Sequence, residues 1–216
     1  MKLIIFIFYL LSLCLCCIDI HSIQPDNNIL IIEENENEIE ICDCYEEYEH
    51  KNKIQEIQLK GKITKIGNKC FSNFRNVTKI ELNENLKIIG KGSFYNCEKL
   101  ENLKIPKSVE KIERNAFENC KELKIIEFEE ESELKEIENF VFENREELEE
   151  IYLPNLIEKL GNFIFLNCKN LRKIYFGKNV NEIKKLILSF FKVNILKFLT
   201  FLNKTFLIKK FFFLLH

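Results

Sequence analysis

The 216-residue chain has no tryptophan, one methionine, three histidines, three prolines and six glycines. So little glycine and proline excludes a collagen-like chain and a flexible Gly-rich linker. The histidines are His21, His50 and His216, and none of them falls in the regular central part of the chain. That central part has no histidine for acid–base catalysis and no glycine-rich loop to bind phosphate. The sequence therefore predicts neither an enzyme nor a cofactor site.

The two signs of charge nearly balance over the whole chain, which carries 32 Lys and Arg against 34 Asp and Glu, but they do not balance locally. Residues 184–216 contain seven lysines and no acid, so residues 1–183 carry 25 basic and 34 acidic side chains, a net charge of −9. An acidic body argues against nucleic-acid binding. A hydrophobic content of 46% is ample for a buried core and excludes a chain that is disordered throughout.

The N-terminus has the pattern of a targeting segment. Met1 and Lys2 precede an apolar run from Leu3 to Ile18, which is shorter than the ~20 residues needed to cross a bilayer as a helix. Residues 1–17 are therefore predicted to be a signal peptide, and the protein is predicted to be secreted or on the cell surface.

Secretion changes how the cysteines are interpreted, because an oxidising compartment permits disulfides. A bond from Cys42 or Cys44 to Cys70 is one pairing that stays open. The Cys42-Asp43-Cys44 pair has no second pair at metal-binding spacing, so no metal site is predicted.

A repeat organises the centre of the chain. Its most regular position is a phenylalanine, and apolar residues recur six, nine and eleven places after each one. A two-residue insertion within Glu129–Glu133 explains the one longer interval. The spacing L-x-x-I-x-L predicts the strand of a leucine-rich repeat. The phenylalanines, separated by 23, 23, 25 and 23 residues, are Phe71, Phe94, Phe117, Phe142 and Phe165.

The unit Ile89–Ile112, IGKGSFYNCEKLENLKIPKSVEKI, resembles the BspA-like leucine-rich repeat family. The resemblance covers residues 52–183, with Phe74 and Arg145 replacing the usual Cys of the unit. It implies a solenoid of stacked ~23-residue coils joined by a parallel β-sheet, with turns or short helical segments on the convex side. Residues 18–51 are expected to form an N-terminal cap. The family also implies an adhesin that binds host or extracellular matrix proteins.

Two repeat positions suggest specific roles. Gly67, Gly90 and Gly161 share one position, where we expect a turn with positive φ. A second position holds cysteines, which we expect to fill the inside of the coils as small apolar groups rather than act in redox chemistry. These cysteines are Cys97, Cys120 and Cys168.

Alternation along each strand predicts which side chains face outward. Outward Glu81, Lys104 and Glu127 alternate in sign, and we expect them to pair with one another along the stack. The sequence cannot distinguish two roles for the outward tyrosines at its C-terminal end: a binding hot spot, or a cross-strand pair that only stabilises the sheet. The candidate protein-binding residues are Tyr152, Tyr175, Lys173 and Glu150.

Two sequons, at Asn76 and Asn203, are candidate glycosylation sites in a secreted chain.

Three accounts of the basic, apolar tail, residues 184–216, stay open: a degenerate repeat that caps the solenoid, a segment that contacts membrane, or a truncated gene end. Phe190 and the apolar residues after it reproduce the repeat spacing, which favours the first account. The predicted function is a secreted or cell-surface protein-binding scaffold; the alternative is a membrane-associated repeat protein whose tail contacts lipid.

Overall fold

The computed structural model describes residues 17–18, 25–41 and 50–175, and within them the chain forms a β-solenoid without a helix. The predicted leucine-rich-repeat solenoid is confirmed, and the coils are connected by turns in the described part. The strands, in chain order, are β1 (Cys17–Ile18), β2 (Ile29–Ile41), β3 (Glu56–Ile66), β4 (Lys79–Glu81), β5 (Ile88–Ile89), β6 (Asn102–Ile105), β7 (Lys111–Ile112), β8 (Ile125–Phe128), β9 (Glu136–Ile137), β10 (Glu150–Tyr152), β11 (Lys159–Leu160) and β12 (Lys173–Tyr175).

One side of the solenoid is a continuous parallel sheet in the order β1-β2-β3-β5-β7-β9-β11. Its register aligns equivalent positions of successive repeats: Ile66 pairs with Ile89, and Ile112 pairs with Ile137. The two-residue insertion does not disturb this register, because it lies in the turn between β8 and β9. The repeat period read from the sequence is therefore the period of the coils.

The other side, which we call the strand face, is built from β4, β6, β8, β10 and β12. Ladders join β6 to β8 and β10 to β12, and β4 pairs with the first part of β3. Among the described strands no ladder joins β4 to β6 or β8 to β10. The strand face is thus a row of adjacent strands whose hydrogen bonding is interrupted twice.

At the N-terminal end, β2 pairs with β3 over most of its length. Leu30, Ile32, Ile39 and Ile41 on β2 are buried in the same core as the repeats. The first coil is therefore covered by a strand that shields its apolar side and satisfies its backbone. This strand lies within the predicted cap region 18–51.

The core is a stack of equivalent side chains. Rings of successive phenylalanines lie nearly parallel, with centroids 5.2 Å apart for Phe94 and Phe117. The separation widens to 6.1 Å between Phe117 and Phe142, the step that contains the insertion. Each ring is fully buried and packs against the same residue of the next coil, so the core is continuous along the axis.

The expectation for the glycine position is wrong. None of Gly67, Gly90 and Gly161 has a positive φ. A Cβ on Gly90 would lie 2.3 Å from the carbonyl oxygen of Ile66, so glycine is needed there because two coils approach closely. Positive φ occurs instead two residues before and two residues after each core phenylalanine, as at Gly92 and Asn96.

An asparagine ladder runs along the stack two residues after each phenylalanine. The side-chain amide of each asparagine donates to the amide oxygen of its counterpart in the preceding coil, at 2.9 Å from Asn96 to Asn73 and 2.9 Å from Asn119 to Asn96. Asn144 continues the ladder to Asn119, and Asn167 continues it to Asn144. All five adopt φ between 59° and 64°, a conformation that asparagine tolerates better than other side chains.

We predict that Asn119→Ala lowers the free energy of unfolding by about 2–3 kcal/mol. The change removes two amide hydrogen bonds, worth about 1 kcal/mol each, and places alanine in the left-handed region at a further cost of about 1 kcal/mol. Asn119→Gly removes the same hydrogen bonds without the backbone penalty and should cost about 1 kcal/mol less. Urea unfolding of both variants measures the two contributions separately, and equal stability of the variants and the parent protein would contradict the ladder's role.

Candidate functional site

The strand face presents two columns of outward side chains, as the alternation predicts. On β10, for example, Glu150 and Tyr152 are exposed while Ile151 between them is buried. Pairing of β10 with β12 places Glu150 opposite Lys173 and Tyr152 opposite Tyr175. The four predicted binding residues therefore form one contiguous patch at the C-terminal end of the described coils.

The tyrosine rings of this patch are stacked, with centroids 4.1 Å apart and planes 6° from parallel. Tyr152 remains 57% exposed. A hydrogen bond with Tyr175 raises the pKa of the Tyr152 phenol above its ordinary value, and the Glu150 charge acts in the same direction. The pair is thus a rigid surface with a polar rim, and Glu150 and Lys173 flank it with their charged atoms 3.7 Å apart.

The expected pairing of Glu81, Lys104 and Glu127 along the stack is wrong. Lys104 instead pairs with Glu129, at 2.8 Å, and Glu81 pairs with Lys79 on its own strand. The difference arises because Glu129 begins the insertion and its side chain reaches back to the preceding coil. Glu129 directly follows β8 but occupies a different repeat position from Lys104, so a column-by-column comparison does not pair them.

The first sequon lies at the edge of a coil. Asn76 is partly buried, and its side-chain nitrogen donates to the backbone carbonyl of Asn52 at 2.9 Å. A glycan would take one of the two N–H positions of that nitrogen and leave the other to donate, and modification at Asn76 stays a prediction. Asn203 lies outside the described residues, as do Cys42, Cys44 and the tail.

A second exposed aromatic pair was missed in the sequence. Phe140 and Phe163 stack with centroids 5.4 Å apart, and the Arg114 guanidinium lies 5.2 Å from the Phe140 centroid. Both phenylalanines have positive φ, at a position occupied by Gly92 in another coil. The signal was available, because an aromatic side chain replaces glycine or a polar residue at one repeat position.

The cysteine position is an internal column, as expected. Cys97, Cys120 and Cys168 are buried, and their sulfur atoms lie 3.4, 3.2 and 3.1 Å from a phenylalanine carbonyl oxygen of the preceding coil. Burial raises the pKa of Cys168 to about 12, as expected for a structural thiol.

Arg145 interrupts this column with a fully buried cation. Its Nη1 donates to the Cys120 carbonyl at 2.6 Å and its Nη2 to the Phe117 carbonyl, while its Nε has no partner in the described residues. No carboxylate of the described chain lies within ion-pair distance of it. Burial alone raises the pKa of the Cys120 thiol, but a hydrogen bond with Cys97 and the adjacent Arg145 charge lower it, to about 6.

We predict that Arg145→Cys stabilises the fold, with a gain of about 1–4 kcal/mol that is largest near pH 6. In the parent protein the folded Cys120 titrates below the ~8.5 of an unfolded cysteine. Between these two pKa values the unfolded chain binds more protons than the folded chain. The stability that the Cys120 thiolate contributes therefore rises with pH and is lost as the pH falls through about 6. Urea unfolding across this pH range, under reducing conditions, should show the rise in stability for the parent protein and for the exposed control Arg172→Cys. Arg145→Cys should not show it. An equal rise in Arg145→Cys would contradict the pairing.

Within residues 25–41 and 50–175, no cluster of three or more His, Cys, Asp or Glu side chains could hold a metal ion. The same residues include no helix of the length and apolar character that a membrane span requires.

Comparisons with known proteins agree with this geometry. The chain matches the BspA type leucine rich repeat region in six copies, over residues 44–133 and 87–214. Among solved structures it is similar to the pneumococcal vaccine antigen PcpA, with 27% identity and a TM-score of 0.55 over 58% of this chain and 31% of that one. A leucine-rich repeat protein of T. pallidum shares 23% identity with a TM-score of 0.48, over 71% of this chain and 66% of that one.

The chain thus spans about a third of the length of the pneumococcal relative. No curated protein matches the sequence significantly. The match to the repeat family covers well over half of the chain and coincides with the coils seen in the structure. The protein belongs to the BspA-type leucine-rich repeat family.

Proposed function

We propose that the protein is a secreted or cell-surface scaffold that binds another protein through its strand face, and that it is not an enzyme. The observation that carries the proposal is the stack of exposed Tyr152 on half-buried Tyr175, flanked by Glu150 and Lys173. Tyrosine offers a large contact area at a low cost in conformational entropy, and it is frequent among residues that dominate binding energy.

Three further observations support this proposal. The patch occupies outward positions, which vary between coils without disturbing the buried register. PcpA is described as a vaccine antigen, which supports an extracellular setting for the related coils. The carboxylates of the described coils are distributed over outward positions and many are ion-paired with lysines, an arrangement suited to a stable surface more than to acid–base catalysis.

The partner class that follows from this proposal is a protein of the host surface or extracellular matrix. A hot-spot pair of tyrosines needs a complementary apolar pocket or groove on that partner, with polar groups around it. The flanking Glu150 and Lys173 would set orientation more than affinity, because they remain partly exposed and satisfy each other.

We predict that Tyr152→Ala combined with Tyr175→Ala weakens attachment to immobilised extracellular matrix proteins or to host cells by at least about tenfold, since one hot-spot side chain contributes about 2 kcal/mol. Thermal stability should change little, because the stack contributes only about 1 kcal/mol.

The matched control is Phe140→Asn combined with Phe163→Asn. This change removes an exposed aromatic pair elsewhere on the solenoid and introduces a residue that tolerates positive φ. The control should attach like the parent protein. Unchanged attachment of the tyrosine variant would refute binding through this patch.

A further inference from the structure

A second part of the strand face, nearer the N-terminal end, forms a groove of about 620 Å³. It lies over β4, β6 and β8 and includes the place where no ladder joins β4 to β6. Ile80 and Leu103 line it from the two strands that are not paired with each other. The groove therefore lies over two neighbouring strands that no ladder joins, while Ile80 and Leu103 themselves stay buried in the core.

Acidic side chains outnumber basic ones along this groove. Glu81, Glu101 and Glu129 each have a lysine within 4 Å. Glu84 and Glu127 also line the groove but belong to no ion pair of the described chain. Two exposed carboxylates are thus available to a positively charged partner.

The charges of several of these carboxylates act together on the ammonium group of Lys104. Its ammonium group hydrogen-bonds Glu129, and this contact raises the Lys104 pKa above its ordinary value. The charges of Glu127 and Glu84 raise that pKa further. The groove is therefore lined by the ammonium groups of Lys79 and Lys104 and by five carboxylates, and this excess of negative charge favours a further cation.

An apolar contact lies beside this acidic site. Ile125 lines the groove and is 55% exposed, although the corresponding outward positions of the two preceding coils hold Lys79 and Asn102. Ile125 and Glu127 point outward from the same strand, two residues apart. An extended segment that places an apolar side chain over Ile125 can therefore place a cation near Glu127.

We infer that this groove docks an extended segment of a partner protein that carries lysine or arginine next to aliphatic side chains. The inference rests on the proposed function, because it assigns partner chemistry to the same strand face. Charge complementarity favours a basic segment, and exposed Ile125 favours one that also has apolar side chains. The groove and the tyrosine patch share no lining residue, although Glu127 and Tyr152 occupy the same outward position of successive coils, so each can be changed by its own substitutions.

The test uses the full chain and three labelled peptides of about eight residues, a length that spans the groove. The first repeats Lys-Lys-Val-Val, which puts lysine and valine two residues apart on each face of an extended chain, the second has glutamate in place of lysine, and the third has serine in place of valine. Fluorescence anisotropy should show binding of the lysine–valine peptide, and weaker binding of the lysine–serine peptide. The glutamate–valine peptide should not bind.

The decisive variant is Glu84→Gln combined with Glu127→Gln, and it should bind the lysine–valine peptide about tenfold more weakly. Glu122→Gln combined with Glu147→Gln is the matched control: it makes the same change in net charge at two exposed positions outside the groove. The control should bind like the parent protein. Circular dichroism verifies that both variants remain folded.

Equal loss of binding in both double variants would overturn the inference, because it would show general attraction to an acidic protein. Binding of the glutamate–valine peptide would overturn it as well. If the protein attaches to its target through Tyr152 and Tyr175 but does not bind the lysine–valine peptide, the proposed function stands and this inference fails.

Discussion

In-register stacking is the constraint on which the whole structure depends. A single coil has too few residues to enclose its own apolar side chains, so each buried group must be covered by the equivalent group of the next coil. The phenylalanine rings and the asparagine amides meet their counterparts in this way, and each cysteine sulfur of the column meets a phenylalanine carbonyl of the preceding coil. A shift of one coil by one residue would break all three sets of contacts at once, and it would exchange the buried and exposed faces of that coil's strands. Outward positions are free of this requirement, and the differences between coils concentrate there.

Features set by spacing alone could be predicted from the sequence. The 23-residue period predicts the register, the buried positions and the outward placement of Tyr152 and Tyr175, because each follows from which residues share a repeat position. Features set by side-chain reach could not. Lys104 pairs with Glu129 of the next coil, which occupies a different repeat position, and Arg145 enters the core through contacts with two carbonyl groups. The asparagine ladder was visible as the same residue two places after every phenylalanine, but a search for apolar periodicity overlooks polar columns.

The glycine position shows a second limit of sequence reasoning. Glycine at a fixed position indicates either a positive φ or a close approach of two backbones, and the sequence cannot distinguish these causes. In this solenoid the approach between coils requires Gly90, whereas positive φ falls on asparagine, lysine and even phenylalanine. The left-handed position two residues before each core phenylalanine is therefore one where the fold tolerates variation, whereas the position two residues after it is always asparagine. Phe140 and Phe163 exploit that tolerance to expose an aromatic pair that the core does not need.

Stacking also explains how the described coils tolerate an excess of acidic side chains. Parallel coils place outward side chains about 4.8 Å apart, so a lysine can reach carboxylates on neighbouring coils and a long ladder of acidic side chains stays tolerable. The match to the repeat family continues to residue 214, through most of the basic segment 184–216, and the degenerate-repeat account of that segment stays a prediction that agrees with this match. In the coils that the structure describes, many carboxylates lie within 4 Å of a lysine, as Glu101 and Glu129 do. Glu84 and Glu127 have no such ion pair among the described residues, so the groove over β4, β6 and β8 is where the negative charge of the coils is least compensated.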